Sequence, residues 1–307
     1  MARWRRNPPG AKQEFMIRGI ALSLTASVLF GVLYYYSSLL FPLDGEKIFG
    51  WRMLLTVPVM TIFMLVWGEW AQVGRIARRL RCEPGLWLVL PLSSMLIGVQ
   101  LWLFMWAPLH DKALDVSIGY FMLPLTMLLA GRVFYGDRLS RLQKLAALSA
   151  ALGVSHGIYQ AGGFSWAALL VAFGYPWYFI LRRRFNTDCL GGLWFDMLLT
   201  LPVALWFAAV ANGPVLSMFA QRPALYLLIP VLGLISSTAL AAYVLASRYL
   251  NLSLFGLLGY LEPVLLVLVA LLLGERIAED QWLTYAPIWL AVGLLATEGI
   301  SSLRRPG

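Results

Sequence analysis

Ten apolar runs divide the chain, at roughly residues 17–40, 50–68, 85–108, 115–135, 140–158, 163–181, 190–211, 224–247, 252–273 and 281–300, with short polar stretches between them. Most reach the roughly 17–25 residues that a helix needs to cross the hydrocarbon core of a bilayer. None alternates apolar and polar residues over about ten positions, as a barrel strand would. The pattern therefore predicts an all-α polytopic membrane protein with ten transmembrane helices and no room for a soluble domain between them. The first run is long and no small-residue cleavage site ends it, so it reads as a retained span rather than a leader. Composition agrees: 60% of the 307 residues are hydrophobic and 13% charged, with a mean hydropathy of +0.75. A soluble chain of this length cannot hide so much apolar surface.

One segment occurs twice, at a separation of nearly half the chain. GYFMLPLTMLLAGRVFYGDRLSRLQK starts at Gly119, and GYLEPVLLVLVALLLGERIAEDQW starts at Gly259. Both carry Gly-Tyr, a proline inside an apolar run, then Gly-(Asp/Glu)-Arg and a glutamine before the next run. A repeat of this period marks a duplicated architecture. It divides the chain into a first five-helix repeat at 17–158 and a second at 163–300, flanked by an N-terminal segment 1–16 and a tail 301–307. Five is odd, so the second unit must enter the membrane upside down.

Charge placement carries the same message. With the N-terminus in the cytoplasm, every Lys and Arg falls on the cytoplasmic side except Lys47, Arg52, Lys112, Arg222 and Arg276. The net charge of +9 is thus a topology signal with both termini cytoplasmic, and nucleic acid is not an expected partner. The turn after the first copy, around Asp137, Arg138, Arg141 and Lys144, is basic. The turn after the second, Gly274 to Asp280, is acidic, as inversion requires. Cys82 and Cys189 fall in or beside cytoplasmic loops, so reduced thiols are expected.

Pro124 and Pro263 lie at matching places near the middle of their spans. A proline removes one backbone N–H and leaves a carbonyl free to face a ligand or water. Interrupted spans at corresponding positions of two halves point to the substrate site of a secondary transporter, so both prolines are expected to mark helix breaks. Glu262 precedes Pro263 near the midplane. A carboxylate at that depth is costly unless it meets water, a partner or a cation. It is the leading candidate for substrate or proton binding; the alternative is a permanently protonated carboxyl bonded to a neighbouring helix. Asp196 could line an inner vestibule or snorkel to the interface. Arg52, entering its span from outside, could form an outer gate with Glu46 or Asp44, or snorkel. Gln100, Trp102, Tyr34, Tyr36, Tyr120 and Tyr260 could give a cavity aromatic walls and hydrogen-bonding groups, or serve as packing and interface anchors.

The stretch from Phe104 through Asp115, Gly119, Tyr120 and Pro124 to Gly136-Asp137-Arg138, with Glu46, Lys47, Arg52 and Asp196, resembles the drug/metabolite transporter superfamily of the EamA type, and within it the RarD branch. The resemblance covers nearly the whole chain. It implies ten helices in two inverted halves, export of small organic solutes, and a central cavity flanked by spans 1, 3, 4, 6, 8 and 9. The chain departs from the branch in residues 31–38, which lack the usual proline and lysine, and at Trp51, where a histidine is usual. It is a divergent member, and the branch's substrate is not carried over.

Residues 153–157 match Gly-x-Ser-x-Gly, but a hydrolase elbow needs a strand–turn–helix and this match ends an apolar run. The competing reading is Gly-x-x-x-Gly, which lets two helices approach closely and offers a face for a homodimer. No phosphate loop, nucleotide fingerprint or metal-ligand cluster is present in the sequence, so neither cofactor nor metal is expected. The expected function is a non-enzymatic secondary transporter of the bacterial inner membrane. It would export a metabolite, an amino-acid-like solute, a drug or a metal-chelating small acid by alternating access, with proton coupling as one mode. Its other partner is membrane lipid. The alternative is a non-transporting membrane scaffold or an intramembrane enzyme.

Overall fold

The computed structural model describes residues 9–107, 113–160, 162–163, 165–209, 215–265 and 282–304. The acidic turn from Gly274 to Asp280, Lys112, the last part of the ninth run and both chain ends lie outside the described residues. Every regular element among the described residues is helical. In chain order these are α1 (Pro9–Ser38), α2 (Gly45–Val66), α3 (Ala71–Cys82), α4 (Leu86–Trp106), α5 (Ala113–Tyr135) and α6 (Arg141–Gln160). Then follow α7 (Trp166–Arg184), α8 (Leu190–Ala209), α9 (Val215–Gln221), α10 (Leu225–Tyr249), α11 (Leu252–Leu258) and α12 (Trp282–Arg304).

Among the described residues each apolar run except the ninth coincides with one long helix, and the ninth opens with the short α11. Among the described residues, α1, α2, α4, α5, α8 and α10 contain segments long and apolar enough to cross a membrane. Residues such as Val66, Trp87, Leu88 and Leu227 stand exposed on the outer surface of the bundle. That is the arrangement expected where the surrounding solvent is lipid.

Local chemistry sets several helix ends. The Asp44 carboxylate accepts from the Lys47 amide at 2.8 Å, capping α2 five residues before the apolar run begins. Asn251 caps α11 in the same way, through the Leu254 amide at 2.7 Å. Gly136, with φ of 65°, ends α5 in the left-handed conformation. The adjacent Asp137 carboxylate then reaches across to accept from the Ser253 amide, 3.0 Å away in the first turn of α11. There the positive end of the helix dipole favours a carboxylate. The Gly-Asp of the first repeat copy thus terminates one helix and stabilises the start of another.

The helices of the two halves interdigitate. The most extensive contacts pair α1 with α10, α6 with α12, α5 with α7 and α2 with α8, each joining one half to the other. Neighbours within a half, such as α2 with α4 or α8 with α10, touch less. The main core accordingly draws on both halves. A smaller core between α5, α6, α11 and α12 holds Phe121, Ala150, Tyr260 and Ile288.

Between α2 and α4 lies the amphipathic α3. Val73 and Ile76 are buried, while Arg75, Arg78 and Arg81 point outward. Arg79 clasps the end of α7 by donating to the carbonyls of Phe185 at 2.9 Å and Asn186 at 3.2 Å. It also pairs with Glu83 at 2.8 Å, and this guanidinium holds the Glu83 carboxyl below the usual carboxylate range.

Candidate functional site

A narrow cavity lies between the halves. Phe30 of α1, Arg52 of α2 and Phe104 of α4 line it from the first half, with Tyr120 and Leu123 of α5. Tyr175 of α7, Tyr243 of α10 and Glu262, in the helical turn after α11, complete it. These elements are spans 1, 3, 4, 6, 8 and 9, the set the family resemblance implies, with Arg52 added from the second. The cavity encloses about 20 Å³, room for about one water molecule.

The chain delivers Glu262 there through a broken helix. α11 stops at Leu258, Gly259 and Tyr260 form a turn, and residues 261–265 are helical again. Pro263 has no N–H to offer the Gly259 carbonyl four residues back. That carbonyl accepts instead from the Glu262 amide at 3.2 Å, a tighter connection. Pro124 is a different case and corrects the sequence expectation: α5 runs through it unbroken. One lost bond does not stop a helix held on both sides by α7 and α11. Thr126 also bonds the Ala172 carbonyl of α7 at 2.5 Å, tying α5 to its neighbour just past the proline.

Arg52 is also not where the outer-gate reading put it. Only 1% exposed, it turns inward, and its Nε donates to Ser236 Oγ of α10 at 2.7 Å. It shares the cavity with Tyr175, Tyr120 and Glu262. Asp44 is occupied in capping α2. One terminal nitrogen of Arg52 is buried without a hydrogen-bond partner among the described residues. Around this pair of charges the rings meet edge to face, Phe104 with Tyr120 at 5.8 Å and Phe30 with Tyr243 at 5.8 Å, and Tyr175 lies 6.4 Å from both Tyr120 and Tyr243.

Asp196 belongs to a separate cluster. Fully buried on α8, it pairs with Arg182 of α7 and accepts from Tyr178 Oη at 2.9 Å and Ser93 Oγ of α4 at 2.5 Å. Its backbone carbonyl accepts from Ser94 and Thr200, each at 2.8 Å. Its oxygens are taken up by these bonds, so it lines no open vestibule. The intramembrane carboxylate needed a cation, and the last turn of the preceding helix supplied one.

The remaining candidates disperse. Gln100 ties α4 to α7 by donating to the Leu170 carbonyl at 2.8 Å. Trp102 borders an open, apolar groove between α4 and α8. Tyr36 donates to the Leu228 carbonyl of α10 at 2.9 Å. Tyr34 meets Phe104 edge to face at 6.0 Å, behind the cavity wall. Tyr260 is buried in the smaller core, so the two repeat tyrosines diverge: Tyr120 faces the cavity and Tyr260 does not. The residues that sequence reasoning missed are Tyr175, Tyr243, Phe30 and Ser236. Tyr175 had a usable signal, since it directly precedes Pro176 inside α7; Tyr243 and Ser236 had none beyond their polarity.

The Gly-x-x-x-Gly reading of residues 153–157 corresponds to a contact within the chain. A Cβ at Gly153 would lie 2.5 Å from the Thr284 carbonyl of α12, and His156 meets Thr284 Oγ1 at 3.0 Å. The face offered for a homodimer is therefore already covered by α12.

No family model matches the chain. Similar curated proteins span nearly its whole length. The chloramphenicol-sensitive protein RarD of Pseudomonas aeruginosa is 45% identical over 289 residues, 94% of this chain and 96% of that protein. An uncharacterized transporter of Pasteurella multocida is 41% identical over 290 residues, 94% of this chain and 99% of that protein. Protein RarD of Escherichia coli is 28% identical over 290 residues, 94% of this chain and 97% of that protein. One solved protein structure superimposes with a TM-score of 0.67 at 18% identity, over 93% of this chain and 98% of that one, a likeness of fold alone.

Proposed function

Because the chain belongs to the RarD-like family of the drug/metabolite transporter superfamily, a family of multi-pass bacterial cytoplasmic-membrane transporters, we propose that it exports a small organic solute by alternating access around the Arg52–Glu262 cavity. In this reading ten helices cross the membrane as two inverted five-helix repeats, at 17–158 and 163–300, with both termini cytoplasmic. The opposite charge bias of the two repeat turns supports inversion. So does the way helices of one half pair with those of the other.

The observation that carries the proposal is one cavity, lined from both halves, that holds a buried cation and a carboxylate among aromatic rings. An ionisable side chain at mid-bilayer costs about 2.5–3.5 kcal/mol or more on insertion scales, and such groups recur on substrate and proton pathways. Here Glu262 sits beside a broken helix, at the seam along which two halves would rock. Proton coupling then follows from alternate loading of Glu262 with a proton and of the cavity with solute.

The test compares metabolites inside and outside cells with and without the protein, and with Glu262→Gln at matched membrane abundance. The expected result is solute export that falls about tenfold or more in the variant, equivalent to about 1.4 kcal/mol of lost transition-state stabilisation. Full export by Glu262→Gln across a range of pH removes Glu262 from the mechanism. Identical metabolite distributions with and without the protein end the export reading.

A further inference from the structure

The Arg52 guanidinium has two different edges. Its Nε edge is engaged by Ser236 Oγ, which Thr56 Oγ1 supports from 3.4 Å away. Thr56 in turn donates to the Arg52 carbonyl at 2.7 Å, so the arginine is anchored at both its backbone and its Nε. Its far edge carries a buried nitrogen without a partner, and the side chain lines the cavity. A buried N–H left unbonded costs about 1–3 kcal/mol, and more on a charged group. A planar, fixed guanidinium edge matches a flat oxyanion, which it can hold through two parallel hydrogen bonds. Glu262 lines the same cavity, and no hydrogen bond joins it to Arg52 among the described residues. Tyr120, Tyr175 and Tyr243 are the other lining residues that carry a polar group, and the rest is Phe30, Phe104 and aliphatic side chains.

We propose that the free edge of Arg52 is the docking point for the carboxylate of the transported solute, so that the substrates are small organic acids with an apolar or aromatic body. This deepens the transporter reading and rests on it. The head of such a solute needs little more than the space of the water-sized cavity, while its body requires the surrounding helices to part. Glu262 is then a competitor rather than a partner for the solute. Two carboxylates contend for one guanidinium, and the solute gains when Glu262 is neutral. A zwitterion would behave oppositely, because its ammonium group would need the Glu262 charge.

Binding of benzoate, benzylamine and benzyl alcohol, which share a ring and differ in the head group, separates these cases. Isothermal titration would use the purified full-length protein in detergent micelles. Wild type is expected to bind benzoate in preference to the other two. Arg52→Gln should weaken benzoate about tenfold or more, and Arg52→Lys, which keeps the charge but loses the fork, should recover only part of that. Glu262→Gln should bind benzoate severalfold more tightly. Monodispersity and an unchanged melting temperature identify variants that have folded. If neither Arg52 variant folds, the Glu262→Gln result decides. Preference for benzylamine, no benzoate binding by wild type, benzoate binding that survives Arg52→Gln, or weaker binding in Glu262→Gln each overturns the proposal. Absent benzoate binding alongside export that still depends on Glu262 removes the carboxylate inference and leaves the transporter reading standing. Arg52-dependent benzoate binding in a protein that exports nothing overturns the transporter reading, and with it the assignment of the carboxylate to a transported solute.

Discussion

Moving an arginine out of water is expensive, and two arginines here, Arg52 and Arg182, are each only 1% exposed. Their neighbourhoods differ. Arg182 pairs with Asp196 and bonds Tyr178 Oη at 3.1 Å and the Cys189 carbonyl at 2.9 Å through its terminal nitrogens, leaving its Nε without a partner among the described residues, so its role is to lock α7 onto α8. Removing one member of such a pair strands the other charge. Asp196→Ala is expected to cost about 3–5 kcal/mol of stability, read as a lower melting temperature in detergent, whereas replacing a fully solvated ion pair costs about 0–1 kcal/mol. An unchanged melting temperature would mean that Arg182 finds another partner. The sequence made Asp196 conspicuous as an intramembrane acid but hid its partner. Arg182 reads as one of three consecutive loop charges, and only the last turn of α7 turns it inward. For Arg52 the position near a span end suggested the outer face, whereas the bond to Ser236, far away in sequence, draws it to the centre. Pairings of this kind depend on which helices become neighbours, and apolar periodicity does not encode that.

At the level of elements, the duplicated segment yields two different helices. α5 passes through Pro124 intact, and the second copy breaks at Gly259 and Tyr260. The presence of the repeat was readable, but its asymmetry was only hinted at by Leu123 and Glu262 before the two prolines. The repeat also extends further than the 119 and 259 segments. EPGLWLVLP enters α4 and RPALYLLIP enters α10, with Pro91 and Pro230 at the same place in each. Packing of α6 on α12 leaves no room for a side chain at Gly153. Gly153→Leu is therefore expected to destabilise the protein by about 1–3 kcal/mol through overpacking, measured by thermal unfolding, while leaving the cavity residues untouched. At the end of α3, the Arg79–Glu83 clasp is acid-sensitive. The Glu83 carboxyl is held below its unfolded-state value, so its contribution is complete above that value and fades as the pH falls through the lowered one. Glu83→Gln should flatten the dependence of melting temperature on pH in that acidic window; an identical pH profile would assign the sensitivity to another group.

For the whole molecule, the topology has a direct probe in its own thiols. Cys82 is exposed at the end of α3. A membrane-impermeant thiol reagent should label it only from the cytoplasmic side. In a variant lacking both native cysteines, Tyr159→Cys, at a highly exposed position near the far end of α6, should be labelled only from outside. Labelling of both positions from one side would refute the proposed orientation. The ten apolar runs made the helical architecture legible from the first reading, because a bilayer constrains length and polarity so strongly. Which helices touch was not legible, since lipid-like side chains pack on one another with little to distinguish partners.

The interdigitation of the halves has a consequence for synthesis. α1 leaves the ribosome long before α10, the helix it packs against most, and α5 precedes α7. The helices α1 to α6 must therefore wait in the bilayer with their partner faces uncovered until the later ones arrive. A gene divided in the connection between α6 and α7 should yield two fragments that accumulate when made together, and each of which is degraded when made alone.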